Sequence, residues 1–383
     1  MDVHLYGGFG EKGRTSVGLG ANGRTILLDV GIMVGASGRD YYPSIDNDAI
    51  AGLDAVFVSH AHEDHIGGLA WLLSHGFAGD IYMTHETRGE AADMLAQYAA
   101  PDDLPAFSQA LDRIRLFRPG RTIETSGFRV STGRSGHVAG GVWFAADDGR
   151  SRVVYCADVV SHSGVLVMDM IPRCDLVILD ASYGADQVSS QERAGAIAHW
   201  VSSRPGGCLL PVPLSGKPLE MMAVLPEAFS IHAAMRKAIE TQLSADEAFL
   251  PAMRHRLLKR LRDANDWNDG DAFPDQPLLV FDGMGSAGPS VAAIERAAAE
   301  DLPILLTGHI PAATPARKLY ETGRAEWIRL PTHPTLAENL EMWEAAARPS
   351  ALGHSCPADG LDALRAHLPS LDPASRTGQH LEI

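Results

Sequence analysis

The segment Ser59-His60-Ala61-His62-Glu63-Asp64-His65-Ile66-Gly67-Gly68-Leu69 constrains this chain more than any other. It sets histidines and an aspartate in the pattern His-x-His-x-Asp-His. The run Leu53 to Val58 before it is apolar and β-branched, which reads as a buried strand. The run Ile66 to Leu73 after it has helical spacing. The cluster therefore falls in a strand-to-helix loop, where several side chains can converge on one point. Neutral imidazole suits zinc and its neighbours, and carboxylate suits harder divalent ions. A lone histidine is usually a packed or surface residue, but this spacing points to a metal centre.

A chain of 383 residues has room for two domains, or for one large domain with an insertion. Its 45% hydrophobic and 21% charged content is that of an ordinary globular protein. No apolar run reaches the roughly 18 residues of a membrane-spanning helix, so no membrane association is expected. The start, Met1-Asp2-Val3-His4-Leu5-Tyr6, has no basic region followed by an apolar core, and so no secretory signal. Cys156, Cys174, Cys208 and Cys356 are scattered without a Cys-x-x-Cys, which fits a reducing cytoplasm and thiols acting as small buried hydrophobes. The net charge of −16 excludes a broadly basic nucleic-acid-binding surface. Any grip on phosphates must come from a local patch or from metal ions.

Gly8-Phe9-Gly10-Glu11-Lys12-Gly13 matches G-x-G-x-x-G literally, but a dinucleotide site needs a helix opening from it. Asn22-Gly23 between two strand-like runs predicts a β-hairpin there instead. Asp29 ends an apolar strand, either as a turn-former or as a carboxylate behind a metal that orients a ligating histidine. His137 sits among small residues between two strand-like runs. Asp158 and Asp180 each end a strand, and taken alone each reads equally as ligand or turn residue. From about Gln191 helical segments alternate with short strands, an α/β unit of its own. Within it the basic stretch Arg254 to Arg262 reads as a solvated helix face in preference to a phosphate-facing patch. Trp327 to Leu330 reads as a strand, His333 lies in Pro331-Thr332-His333-Pro334-Thr335, and His354 ends another strand. The last residues, Asp372 to Ile383, read as frayed.

Taken in order, these residues resemble the metallo-β-lactamase superfamily, and within it the RNase J-like β-CASP nucleases. Asp29 matches the first motif of that family, His60 to Gly68 the second, His137 in Ser-Gly-His-Val-Ala-Gly-Gly the third, and Asp158 the fourth. Asp180 in Asp-Ala-Ser-Tyr-Gly matches the acidic β-CASP motif, and His333 and His354 fall where the last family histidines fall. The chain departs at Pro331-Thr332-His333-Pro334, where RNase J has Ser-Gly-His-Ala, and at His354-Ser355-Cys356, where the family usually has His-Gly-Glu.

The resemblance implies an αβ/βα metallo-β-lactamase sandwich formed by residues 1–190 and 325–383, with an inserted α/β β-CASP cap over residues 191–324. It implies two divalent metal ions, Zn2+ or else Mn2+. His60, His62 and His137 would hold one ion, Asp64, His65 and His354 the other, and Asp158 would bridge them. Asp64, His333 and Asp180 would be catalytic, with Asp180 orienting His333 and raising its pKa. Thr332 and Thr335 would touch substrate. The activity implied is that of a metal-dependent phosphodiesterase, a ribonuclease using a two-metal activated water on RNA or single-stranded nucleic acid. The alternative is a small-molecule metallohydrolase for a lactone, thioester or phosphoester, with the cap as lid. A non-catalytic scaffold fits less well, because every metal-ligand position is filled. A homodimer is left open.

Overall fold

Alternation of apolar residues along the first strands decides the layers. In Arg24–Leu28, Ile26 and Leu28 enter one core while Leu27 enters another. In Ala55–Phe57, Ala55 and Phe57 share a core and Val56 points the opposite way. Phe57 meets Phe144 of the second sheet edge-on, with ring centroids 5.5 Å apart. Leu27, Val56, Ile81 and Met83 pack under helices Leu69–Ser74 and His85–Tyr98. On the far side, Val154, Val177 and Leu179 pack under helices Leu336–Ala345 and Ala358–Arg365. The result is helix, sheet, sheet, helix: an αβ/βα sandwich. Burying one side chain of this size stabilises by roughly 1.5–3 kcal/mol, so period-two patterning is enough to hold the two sheets face to face.

The computed structural model describes residues 1–312 and 314–383. It divides into one unit of Met1–Ser161, Met168–Gln187 and His333–Ile383, and a second of His162–Val167 and Val188–Thr332. In the first unit a seven-stranded sheet runs in the order His380–Glu382, Asp2–Gly7, Ser16–Ala21, Arg24–Leu28, Ala55–Phe57, Asp80–Thr84 and Ile114–Phe117. A six-stranded sheet runs Ser350–His354, Leu176–Asp180, Arg152–Tyr155, Val142–Asp147, Phe128–Arg134 and Thr122–Thr125.

The predicted hairpin is present, with Asn22 and Gly23 both at positive φ (52° and 73°) between paired strands. No helix opens from Gly8–Gly13; Phe9–Gly10 instead pairs with Cys356–Pro357. The frayed terminus expected over Asp372 to Ile383 is corrected. His380–Glu382 pairs with Asp2–Gly7, the His4 and His380 rings stack, and the terminal ammonium donates to the Ile383 carbonyl. Three residues carry no periodic signal, and their pairing partner lies at the other end of the chain. The helix expected over Ile66 to Leu73 is broken into Glu63–Ile66 and Leu69–Ser74, because Gly68 N–H leaves the helix pattern to donate to Val30 O.

The second unit is built on a parallel sheet in the order Cys208–Pro211, Pro277–Val280, Ser230–His232, Asn265–Trp267. Glu326–Trp327 pairs with Leu305–Leu306, so the stretch around Trp327 belongs to this unit. The basic stretch is helix Met253–Asp263. Arg254 pairs with Asp246, Lys259 and Arg262 pair with Asp263, and Arg260 is buried against the Phe229 ring, donating to Leu225 O. Its charges are thus largely occupied, as on a solvated face.

Ser163 accepts from Val165 N–H and Leu166 N–H and donates to Glu220 of helix Lys217–Val224. Burial pushes the Glu220 carboxyl from 4.5 up to about 7. Because the folded value lies above the unfolded one, ionisation costs stability progressively across that window, in full above about pH 7. Glu220→Gln is therefore expected to raise Tm at about pH 8 and to leave it nearly unchanged near pH 4, measured by calorimetry across the range.

Candidate metal centre

The His-x-His-x-Asp-His segment is held from behind by the loop that follows Asp29. Asp29 has a left-handed φ of 59°, which turns the chain under the next loop. Val30 N–H then donates to His65 O, Ile32 N–H to Glu63 O and Thr15 N–H to Asp64 O, at 2.8, 3.0 and 2.9 Å. The approach is so close that a Cβ on Gly31 would lie 1.8 Å from Asp64 O. Only glycine fits there.

Donor atoms from separate loops converge above this floor. His62 Nδ1 lies 3.1 Å from both His60 Nε2 and His137 Nε2. Asp158 Oδ2 lies 3.8 Å from His60 Nε2 and 3.5 Å from His137 Nε2, while Asp158 Oδ1 lies 3.1 Å from His65 Nε2. Asp64 Oδ2 is 3.9 Å from His65 Nε2. Two groups, His60/His62/His137/Asp158 and Asp64/His65/Asp158, thus each gather ligand atoms within 4.8 Å and share Asp158.

The supporting hydrogen bonds assign the tautomers. Asp29 Oδ2 accepts from Ser59 Oγ–H and from His65 Nδ1–H, each at 2.7 Å. With its hydrogen given to Asp29, Ser59 Oγ accepts from His60 Nδ1–H at 3.0 Å. His60 therefore turns an Nε2 lone pair into the site, and His65, its Nδ1–H held by Asp29, turns Nε2 toward Asp158. Among the described residues, His62 Nε2, His65 Nε2 and Asp158 Oδ1 are buried without a hydrogen-bond partner. An unpaired buried polar atom costs about 1–3 kcal/mol, and a divalent cation beside Asp158 would give His65 Nε2 and Asp158 Oδ1 a partner. The donor set of imidazoles and carboxylates thus fits such an ion.

Electrostatics agree. Burial holds the His60 and His62 imidazoles below their ordinary range and takes His137 down to about 3, so they stay neutral and able to ligate. Burial also opposes charge on His65, but Asp158, Asp64 and Asp29 outweigh it and raise that ring well above its ordinary value. Asp158 is held low by His65 and His333 in spite of burial. The centre is carboxylate-rich and calls for positive charge.

His333 Nδ1 lies 2.8 Å from Asp180 Oδ2 and 3.7 Å from Asp158 Oδ2. Asp180 is fully buried, also accepts from Ser182 N–H and Val159 N–H, and is held down by His333 against the effect of burial. Its main-chain carbonyl accepts from Asn339 Nδ2. The Tyr183 ring meets His333 edge-on at 5.2 Å.

Some expected positions differ. His354 is buried nearby, but its Nε2–H donates to Ala157 O and its Nδ1 accepts from Ser355 Oγ–H, so neither nitrogen joins the donor cluster. Thr335, expected to touch substrate, donates its hydroxyl to Glu338 and caps helix Leu336–Ala345. Thr332 is buried in the second unit. Sequence reasoning missed Ser59, Tyr155 and Tyr183. Only Tyr183 had a signal, its place in Asp-Ala-Ser-Tyr-Gly beside Asp180.

Residues 11–192 match the family described as Metallo-beta-lactamase superfamily. That match spans just under half of the chain and marks residues 11–192 as similar to the superfamily. Among similar curated proteins, "Endoribonuclease YSH1" of Yarrowia lipolytica is 24% identical over 353 residues, 82% of this chain and 43% of the relative. "Cleavage and polyadenylation specificity factor 73" of Drosophila melanogaster is 27% identical over 247 residues, 60% of this chain and 36% of the relative. The chain spans half or less of the length of these relatives. A crystal structure from Enterococcus faecalis V583, described as a protein of unknown function, superposes with a TM-score of 0.63 at 12% identity over 99% of both chains, a likeness of fold. No helix among the described residues is long and apolar enough to cross a membrane.

Zn2+ or Mn2+ is expected to raise the Tm of this protein in proportion to the logarithm of ion concentration, and a chelator to reverse the gain. Asp158→Asn should lose most of that metal-dependent gain while retaining the fold, read by thermal melts with and without ion.

Proposed function

We propose that this chain is a metal-dependent phosphodiesterase that hydrolyses RNA. The observation that carries the reading is Asp158, whose two oxygens face histidines from different loops while the His333–Asp180 pair stands beside it. Metal donors next to an independently held acid–base group suit in-line hydrolysis of a phosphodiester.

In this reading His60, His62 and His137 hold one divalent ion, Asp64 and His65 hold a second, and Asp158 is shared, with Zn2+ or Mn2+ as the ions. When bound, such a pair lowers the pKa of a water and neutralises phosphoryl charge. Asp29 and Ser59 keep the Nε2 lone pairs of His65 and His60 turned inward. His333 donates Nδ1–H to Asp180, which leaves Nε2 to deliver a proton to the leaving oxygen. His354, expected as a ligand of the second ion, instead holds the Ala157 carbonyl and so fixes the turn that presents Asp158.

The endoribonuclease name of the yeast relative supports RNA as substrate. The inserted unit, close to the 191–324 span expected of a β-CASP cap, supports the β-CASP reading. The free thiols support a reducing, cytoplasmic setting. The net charge of −16 favours the second reading, a small-molecule metallohydrolase, because it offers no general attraction for nucleic acid.

End-labelled single-stranded RNA incubated with metal-loaded protein separates the two. Metal-dependent cleavage is expected, abolished in Asp64→Ala and reduced roughly 10²–10⁴-fold in kcat in His333→Ala at unchanged metal content. Intact 5′-monophosphate and 5′-triphosphate RNA after incubation with fully loaded protein would sink the ribonuclease reading and leave the small-molecule one.

A further inference from the structure

We infer that Tyr155 is a positioning residue of the metal centre, acting through Asp29 on His65 and, by way of Ser59, on His60. The inference rests on the metal-centre reading above and adds a residue to it.

Asp29 is fully buried. Its Oδ1 accepts from Ser59 N–H at 2.7 Å, and its Oδ2 accepts from Ser59 Oγ–H, His65 Nδ1–H and Tyr155 Oη–H, each at 2.7 Å. A carboxylate accepts on fixed lone-pair directions, so these donors together fix its rotation. Tyr155 is the donor that comes from the opposite sheet. Asp29 follows strand Arg24–Leu28 of the first sheet, whereas Tyr155 closes strand Arg152–Tyr155 of the second, just ahead of Asp158. The hydroxyl therefore ties the strand that delivers the shared carboxylate to the carboxylate that orients the histidines.

The consequences run along two paths. Asp29 keeps the proton of His65 on Nδ1, so that Nε2 faces Asp158 Oδ1. Asp29 also takes the Ser59 hydroxyl hydrogen, so Ser59 Oγ must accept from His60 Nδ1–H and His60 Nε2 also faces inward. One buried carboxylate thus sets a ligand tautomer in each donor group. Without the Tyr155 hydroxyl, Asp29 loses the one side-chain anchor that the described residues give it outside the His-x-His-x-Asp-His loop, and its orientation rests on Ser59 and His65 alone.

A plain core role for Tyr155 would need only its ring, which packs in the inter-sheet core and lies 5.5 Å from the His354 ring. Tyr155→Phe keeps that ring and removes the hydroxyl. Isothermal titration of chelator-stripped protein with Zn2+ is expected to show affinity 10–100-fold weaker than wild type in Tyr155→Phe, with secondary structure unchanged by circular dichroism. Equal affinity in both proteins would overturn the inference while leaving the metal centre standing; a wild type that binds no Zn2+ would overturn both. Nitrogen-15 histidine spectra of the Zn2+-loaded wild type give a second arm that needs no variant. They should place the His65 and His60 protons on Nδ1, and a proton on Nε2 of either ring would overturn the inference even if Tyr155→Phe fails to fold.

Discussion

A carboxylate removed from water is tolerated only where donors replace its hydration. Asp29 meets that demand with Ser59, His65 and Tyr155, which come from different parts of the sandwich. Satisfying it forces the loop after Arg24–Leu28, the His-x-His-x-Asp-His loop and the end of Arg152–Tyr155 into one arrangement. The left-handed turn at Asp29 and the bare backbone of Gly31 then let the Asp64 main chain rest directly on that loop. The positions of the histidines are a consequence of this floor, since their own loop is short and has no regular structure beyond one helical turn.

The charge arrangement above the floor has a single logic. His60, His62 and His137 are kept neutral by burial, whereas His65 is driven the other way by the carboxylates around it. Similar rings a few ångströms apart thus take opposite shifts, decided by which of them lies against Asp29, Asp64 and Asp158. Acidic groups outnumber compensating cations at the centre, while the basic helix Met253–Asp263 has its charges taken up by partners within its own unit. Local excess of carboxylate, more than the overall charge of −16, is what makes this place attractive to a divalent ion.

Much of the candidate site was legible from residue order. His60, His62, Asp64 and His65 stand out because no structural role needs four such side chains at that spacing. Asp158 and Asp180 were ambiguous, because a strand-ending aspartate is equally a turn former. Pairing of Arg152–Tyr155 and Leu176–Asp180 in one sheet brings both carboxylates to the same edge, beside His333. Thr335 shows what residue order leaves out: His333 beside it pairs with Asp180, whereas its own hydroxyl is taken by Glu338. His354 shows the same limit, since only the fold reveals that Ala157 O lies within hydrogen-bond reach of its Nε2.

The sequence by itself marked the histidine cluster and the change of texture near Gln191, because ligand spacing and apolar periodicity are local properties; the αβ/βα layering was implied only by the family resemblance. Tertiary structure alone decided the rest. It made Tyr155, which reads as one more apolar strand residue, a donor to Asp29. It turned His380–Glu382 into the edge strand beside Asp2–Gly7. Both depend on partners more than a hundred residues away, and hydrogen bonds over such separations leave no periodic trace in the chain that forms them.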